Sequence, residues 1–184
     1  MRSPIEGEAF AEVAAAFVRG VGEIVEAGAG RAWAVVGIKS RGDALAERLA
    51  AALTDASGAS RFGGRVGALD VTLYRDDLSE LGARAQVRAT EVDFAIDGLD
   101  VVLVDDVLMT GRSVRAALES LADLGRARRV WLAVLVDRGG RELPIQPDVV
   151  GVDLSGVAGG RVAVSLVEAD GVDRIELEEE ARDG

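Results

Sequence analysis

Runs of consecutive apolar residues alternate along this chain with stretches whose apolar positions return every three or four residues. Phe10, Val13, Ala14, Phe17, Val21, Ile24 and Val25 fall on one face of a helix over residues 8–28, which Gly20 and Gly22 weaken. Trp33–Ile38 is a short apolar run and predicts a buried strand; the turn Lys39-Ser40-Arg41-Gly42 follows, and residues 43–53 read as a second helix. Val66–Tyr74 reads as a strand, and the polar stretch 75–97, with little periodicity, as a mobile excursion or short hairpin. Val101–Val104 is fully apolar, as in strands covered on both faces, and ends in Asp105-Asp106. A helix is predicted over Ser113–Leu124 with Gly125 as its stop, then a strand over Val130–Val136 and a loop over 137–147 containing Pro144 and Pro147. Val149–Val152, Val162–Val167 and Arg174–Leu177 are short late strands.

This strand–helix rhythm predicts an α/β fold with a mainly parallel central sheet flanked by helices, as one domain over residues 1–184. The acidic residues Glu176 and Glu178–Glu180 read as a solvated edge and a frayed tail over 178–184. The chain lacks histidine and cysteine, which removes a Ser-His-Asp triad, His-ligated zinc, thiolate sites and disulfides. Chemistry must then run on carboxylates, guanidinium groups, hydroxyls, backbone amides and the single lysine, Lys39. The net charge of −11 disfavours a globally basic nucleic-acid surface. With no signal-peptide pattern and no apolar run long enough to span a bilayer, the expected location is the cytoplasm.

Most of the chemical information lies in Val101-Val102-Leu103-Val104-Asp105-Asp106-Val107-Leu108-Met109-Thr110-Gly111-Arg112-Ser113. In open α/β sheets ligands bind outside the carboxyl ends of the strands. Two carboxylates there can accept hydrogen bonds from vicinal hydroxyls, and a Gly-containing turn that opens a helix suits an anion. The segment can thus grip a ribose diol at one end and a phosphate at the other, although an apolar strand ending in two acids also serves as a metal-binding turn or as simple helix capping. Neither the dinucleotide fingerprint nor the P-loop is present here.

The same segment resembles the binding motif for 5-phosphoribosyl 1-diphosphate (PRPP) in type I phosphoribosyltransferases. Val36-Gly37-Ile38-Lys39-Ser40-Arg41-Gly42, Asp70-Val71-Thr72-Leu73-Tyr74-Arg75-Asp76-Asp77-Leu78 and Leu135–Ile145 are similar to one branch of them. That branch is the pyrimidine operon attenuation regulators that double as uracil phosphoribosyltransferases, and the likeness covers roughly residues 10–178. It implies a type I phosphoribosyltransferase-like fold with a flexible flap near 75–97 and a small hood. It implies that Asp105 and Asp106 hold the ribose hydroxyls, that Val107, Leu108, Met109, Thr110, Gly111, Arg112 and Ser113 wrap the 5′-phosphate, and that Lys39, Ser40, Arg41 and Gly42 bind the diphosphate. Arg75, with Arg84 and Arg88, would reach the diphosphate from the flap, and Asp137 and Arg138 would border the base. The implied reaction joins uracil to PRPP to give UMP and diphosphate, with Mg²⁺ carried mainly by PRPP rather than by protein ligands. The likeness also implies a homodimer or higher homo-oligomer.

The regulators of this branch bind an mRNA leader in response to UMP. Where they show Thr-Arg-Ile-Ala-His this chain has Val18-Arg19-Gly20-Val21-Gly22, and where they show Gly-Lys-Asn it has Gly151-Val152-Asp153. Gly139-Gly140-Arg141 stands for Gly-His-Arg, and Met109 for the usual aromatic. Arg19 alone persists from the helix patch, so leader binding is disfavoured against the enzyme. Arg126, Arg128 and Arg129 form the densest basic cluster and read as a solvated turn between helix and strand. A bifunctional attenuator and a non-catalytic phosphoribosyl sensor stand as the alternative functions.

Overall fold

The computed structural model describes residues 3–54, 58–71, 90–157 and 160–177. Three apolar runs become neighbouring parallel strands: β2 (Trp33–Ile38), β4 (Asp100–Leu108) and β5 (Arg129–Asp137). With β3 (Val66–Leu69) outside β2 and β6 (Val149–Asp153) outside β5, they form a five-stranded sheet in the order β3-β2-β4-β5-β6. Every residue of β2 is buried, because helices cover both faces.

On one face lie α1 (Gly7–Ala27) and α2 (Gly42–Ala52). Helix α1 buries Phe10, Phe17, Val21 and Val25 against β5 and β6, and α2 buries Leu45, Ala46 and Leu49 against β2, β3 and β4. The weak spots Gly20 and Gly22 do not interrupt α1. On the other face, α3 (Arg112–Leu124) turns Val114, Ala116, Ala117 and Leu121 into a second core with Leu69, Ile96 and Leu103. A smaller antiparallel sheet sits beside the first core, formed by β1 (Ile5–Glu6), β7 (Val162–Ser165) and β8 (Arg174–Leu177) in the order β1-β8-β7. Its apolar side, Val162, Val164, Leu166 and Ile175, makes it the expected hood. No helix among the described residues is long and apolar enough to cross a membrane.

Four expectations need correction. The strand predicted over Val66–Tyr74 ends at Leu69; residues 72–74 lie outside the described residues. The strand predicted over Val162–Val167 stops at Ser165, and Val167–Asp170 form the helical turn α4. Two downstream acids produce that turn: Asp170 accepts the Leu166 N–H at 2.9 Å and Asp173 the Val167 N–H at 2.9 Å.

The excursion read over 75–97 is also too long. Its first part, with Arg75, Arg84 and Arg88, lies outside the described residues, as does the tail 178–184. Residues 90–97, however, return to the core. Glu91 exchanges backbone hydrogen bonds of 2.8 and 2.7 Å with Ala68, Val92 and Phe94 pack on the second core, and Ile96 is buried. The alternation Val92, Phe94, Ile96 is the signal that marks this limb.

The Arg126–Arg129 cluster is not simply solvated. Arg128 pairs with Asp100, which is fully buried at the start of β4 and also faces Arg31 at 3.6 Å. Arg129 lies 3.6 Å over the Trp131 ring.

Candidate active site at the carboxyl ends of β2, β4 and β5

Strand β4 is longer than the apolar run that announces it. Strand β2 stops at Ile38, its register with β4 ending at Gly37 opposite Val104. Beyond that point Asp105, Val107 and Leu108 pair only with β5, opposite Val134, Val136 and Asp137. The two acids therefore lie inside the strand, on a tongue of β4 that projects past β2. The sequence places them as the end of the strand, whereas β4 continues to Leu108; β5 runs to Asp137 and supplies the ladder that keeps the acids extended. Asp105 is buried and Asp106 half-buried. Asp105 Oδ1 accepts the Asp106 N–H at 3.0 Å, and Asp106 Oδ1 accepts the Val107 N–H at 2.9 Å. These bonds fix both carboxylates against the backbone.

In the notch left by β2 lies the turn Lys39–Arg41, whose Lys39–Ser40 peptide is cis. The Lys39 N–H donates to Leu69 O at 2.9 Å, and Lys39 Nζ meets Glu91 Oε1 at 2.6 Å. Ser40 is exposed. Arg41 Nε and Nη2 donate to the two oxygens of Asp170 in the hood at 3.0 Å each. Asp170, and at longer range Asp106, hold the Arg41 guanidinium above its usual pKa. At Gly42, α2 begins directly against Val104 and Asp105.

Past the tongue, Met109-Thr110-Gly111 turns the chain into α3. Gly111 adopts φ +91°, a left-handed conformation that favours glycine, and having no side chain it places no cap over the first turn of α3. Thr110 Oγ1 accepts the Arg112 N–H at 3.3 Å. Met109 is 44% exposed and lies over Gly140.

The loop 138–147 is bound to this turn. Leu108 O accepts the Arg138 N–H at 2.8 Å, and Thr110 O accepts the N–H groups of Glu142 and Leu143 at 3.0 and 3.2 Å. Arg112 pairs with Glu142 at 2.7 Å. Arg141, which the sequence reading missed as a site residue, donates to Met109 O at 3.0 Å, Ile145 O at 2.9 Å and Asp137 Oδ2 at 2.7 Å. Its signal was an arginine four residues after an acid. Asp137 Oδ1 accepts the Gly139 N–H at 2.9 Å, and Arg138 Nε donates to Gly160 O at 3.0 Å in the hood. Asp137 and Arg138 stand beside the crevice but use these atoms to scaffold its wall.

The structure thus brings Lys39–Gly42, Asp105–Ser113 and Asp137–Arg138 to one end of the sheet. Arg75 lies outside the described residues. Arg19 is exposed on α1, which packs along β6, the strand of Val152, away from this crevice.

The end of the sheet thus carries two carboxylates on its central strand and a glycine turn that opens a helix, beneath a small hood. The model of the phosphoribosyl transferase domain family matches residues 11–167. The chain is 52% identical over 167 residues to bifunctional protein PyrR of Thermus aquaticus, covering 90% of this chain and 91% of that one. It is 53% identical over 165 residues to bifunctional protein PyrR of Chloroflexus aurantiacus, covering 89% of each. A hypoxanthine phosphoribosyltransferase from Trypanosoma cruzi, solved as a ternary substrates complex, shares the fold at a TM-score of 0.67 and 18% identity, covering 93% of each chain. This chain belongs to the phosphoribosyl transferase domain family and, within it, to the bifunctional PyrR proteins.

Proposed function

We propose that this protein is a uracil phosphoribosyltransferase that converts PRPP and uracil to UMP and diphosphate. The observation that carries this reading is the projecting tongue of β4. It lies between the turns Lys39–Gly42 and Met109–Ser113, which this reading assigns to the diphosphate and to the 5′-phosphate. That order matches PRPP, whose ribose diol lies between a 5′-phosphate and a 1-diphosphate.

In this mechanism the acids accept hydrogen bonds from the 2′- and 3′-hydroxyls. Amides and hydroxyls of Thr110–Ser113 hold the 5′-phosphate at the positive end of α3. The C1–O bond to diphosphate breaks as uracil N1 forms its bond to C1, and the N1 proton leaves to solvent. The ribose carries positive charge in the transition state, and the Asp105 and Asp106 carboxylates stabilise it electrostatically. Holding both substrates in line supplies the rest. Arg75 is proposed to meet the diphosphate on the strength of the motif likeness.

Among the described residues no cluster of three or more acids, histidines or cysteines could hold a metal by itself. Asp105 and Asp106 each spend an oxygen on a backbone N–H. This donor set fits Mg²⁺ ligated mainly by diphosphate and ribose oxygens. When bound, the ion neutralises the departing diphosphate.

The name bifunctional carried by the relatives favours a second activity, UMP-responsive binding of an mRNA leader. Val18, Gly22 and Val152 offer no donor to a phosphate or base, so this activity is weak in this chain. The test of the enzyme is PRPP-dependent conversion of labelled uracil to UMP. UMP formation that requires PRPP and Mg²⁺ is expected, and its absence at saturating substrates overturns the reading.

A further inference from the structure

The hood is tied to α2 by two arginines that are held differently. Arg48, about two turns into α2, forks onto Glu168 at 2.8 and 2.6 Å and onto Asp173 at 3.0 and 2.7 Å. Arg41 meets one carboxylate, Asp170, through both Nε and Nη2. Arg48 lies inside a helix, whereas Arg41 ends the turn that faces Asp106.

Asp170 is not a loose surface acid. Its Oδ2 also accepts the Leu166 N–H at 2.9 Å, and Leu166 is fully buried. Arg48, through Glu168 and Asp173, holds the rest of the strap 166–173 on α2. The carboxylate is therefore fixed, and Arg41 is the member free to swing. The Arg41 and Asp170 side chains remain 31% and 26% exposed, so water and ions reach the pair.

A carboxylate and a phosphate present the same two-oxygen edge to a guanidinium. Nε and Nη2 of Arg41 cannot serve both edges at once. We propose that Asp170 is a built-in competing anion: it occupies Arg41 in the free protein, yields it to the diphosphate of the substrate, and reclaims it as diphosphate leaves, while Arg48 keeps the hood in place throughout. Asp170 is then a positioning residue that sets the affinity for PRPP and speeds product release. The proposal rests on the reading of Lys39–Gly42 as the diphosphate turn.

Calorimetric titration of the full-length protein with inorganic diphosphate and Mg²⁺ tests it, using wild type, Asp170→Asn, Arg41→Gln and the double variant. Asn at 170 can still accept the Leu166 N–H, so the substitution removes charge and keeps the cap. Asp170→Asn is expected to tighten diphosphate binding two- to tenfold and to lower KM for PRPP. In the Arg41→Gln background the same substitution is expected to change nothing. Unchanged or weaker binding by Asp170→Asn, or an equal gain in both backgrounds, overturns the exchange. Arg48→Gln is expected to lower Tm and Asp170→Asn to leave it nearly unchanged; a loss in Asp170→Asn equal to that in Arg48→Gln makes Asp170 a structural clamp and also overturns the exchange. Failure of wild type to bind diphosphate, with Arg41→Gln no different, overturns instead the assignment of the turn.

Discussion

Gly42 lies so close to β4 that a Cβ added to it would stand 2.5 Å from the Val104 carbonyl oxygen. That contact sets the start of α2, and with it the turn Lys39–Arg41 proposed to meet diphosphate, directly beside the Asp105–Asp106 tongue. Glycine is required because the obstacle is strand backbone, which cannot rotate away as a side chain can. Gly42→Ala is expected to cost about 1–3 kcal/mol of stability. It should also lower kcat/KM at least tenfold by displacing the turn, as urea unfolding and steady-state kinetics on the folded fraction will measure.

Asp105→Asn and Asp106→Asn are expected to lower kcat/KM for PRPP by about ten- to a hundredfold each. This is the loss of a charge-assisted hydrogen bond of roughly 1.5–3 kcal/mol. Far-UV circular dichroism should stay unchanged. Full activity with normal saturation in both variants would falsify the diol assignment.

Asp100 acts at the opposite end of β4. It is buried between Arg31 and Arg128, which are 47% and 44% exposed, so water screens part of the attraction. Asp100→Asn is expected to destabilise the protein by about 1–3 kcal/mol, with activity per folded molecule preserved. Chemical denaturation paired with active-site titration separates the two effects.

The strap acids give a pH dependence of known sign. The hydrogen bonds from Arg48 hold the carboxyls of Glu168 and Asp173 below their usual range. The unfolded chain therefore takes up protons first as pH falls. The stabilisation is complete above about pH 5 and is lost as pH drops through about 4 and below. Tm should be flat from neutrality to about pH 5 and then fall, and Arg48→Gln should make that fall shallower.

Leader RNA is expected to bind at least tenfold more weakly than to a relative carrying the full Thr, His and Lys set at equal salt. One arginine, Arg19, supplies at most one phosphate contact, and the net charge of −11 opposes a polyanion. Filter binding at about 0.1 M salt with UMP present is the measurement. Nanomolar binding to a defined hairpin, lost on Arg19→Gln or on substitution of the Arg126–Arg129 cluster, would overturn this expectation.

Local pattern alone was enough for the elements whose burial is written in consecutive residues. Trp33–Ile38 reads as a fully covered strand and Phe10 to Val25 as one helical stripe, because each depends on neighbours within one turn or one strand. Tertiary structure alone decided how far β4 runs, since Asp105 and Asp106 are extended only because β5 continues beside them. It alone tied Asp137 to Arg141, turned Val167–Asp170 into a helix capped by later acids, and set Asp170 against Arg41. A hydrogen bond or ion pair between residues 129 positions apart leaves no periodic trace in either segment. Its existence follows from the packing that brings two surfaces together, and only the folded chain specifies that packing.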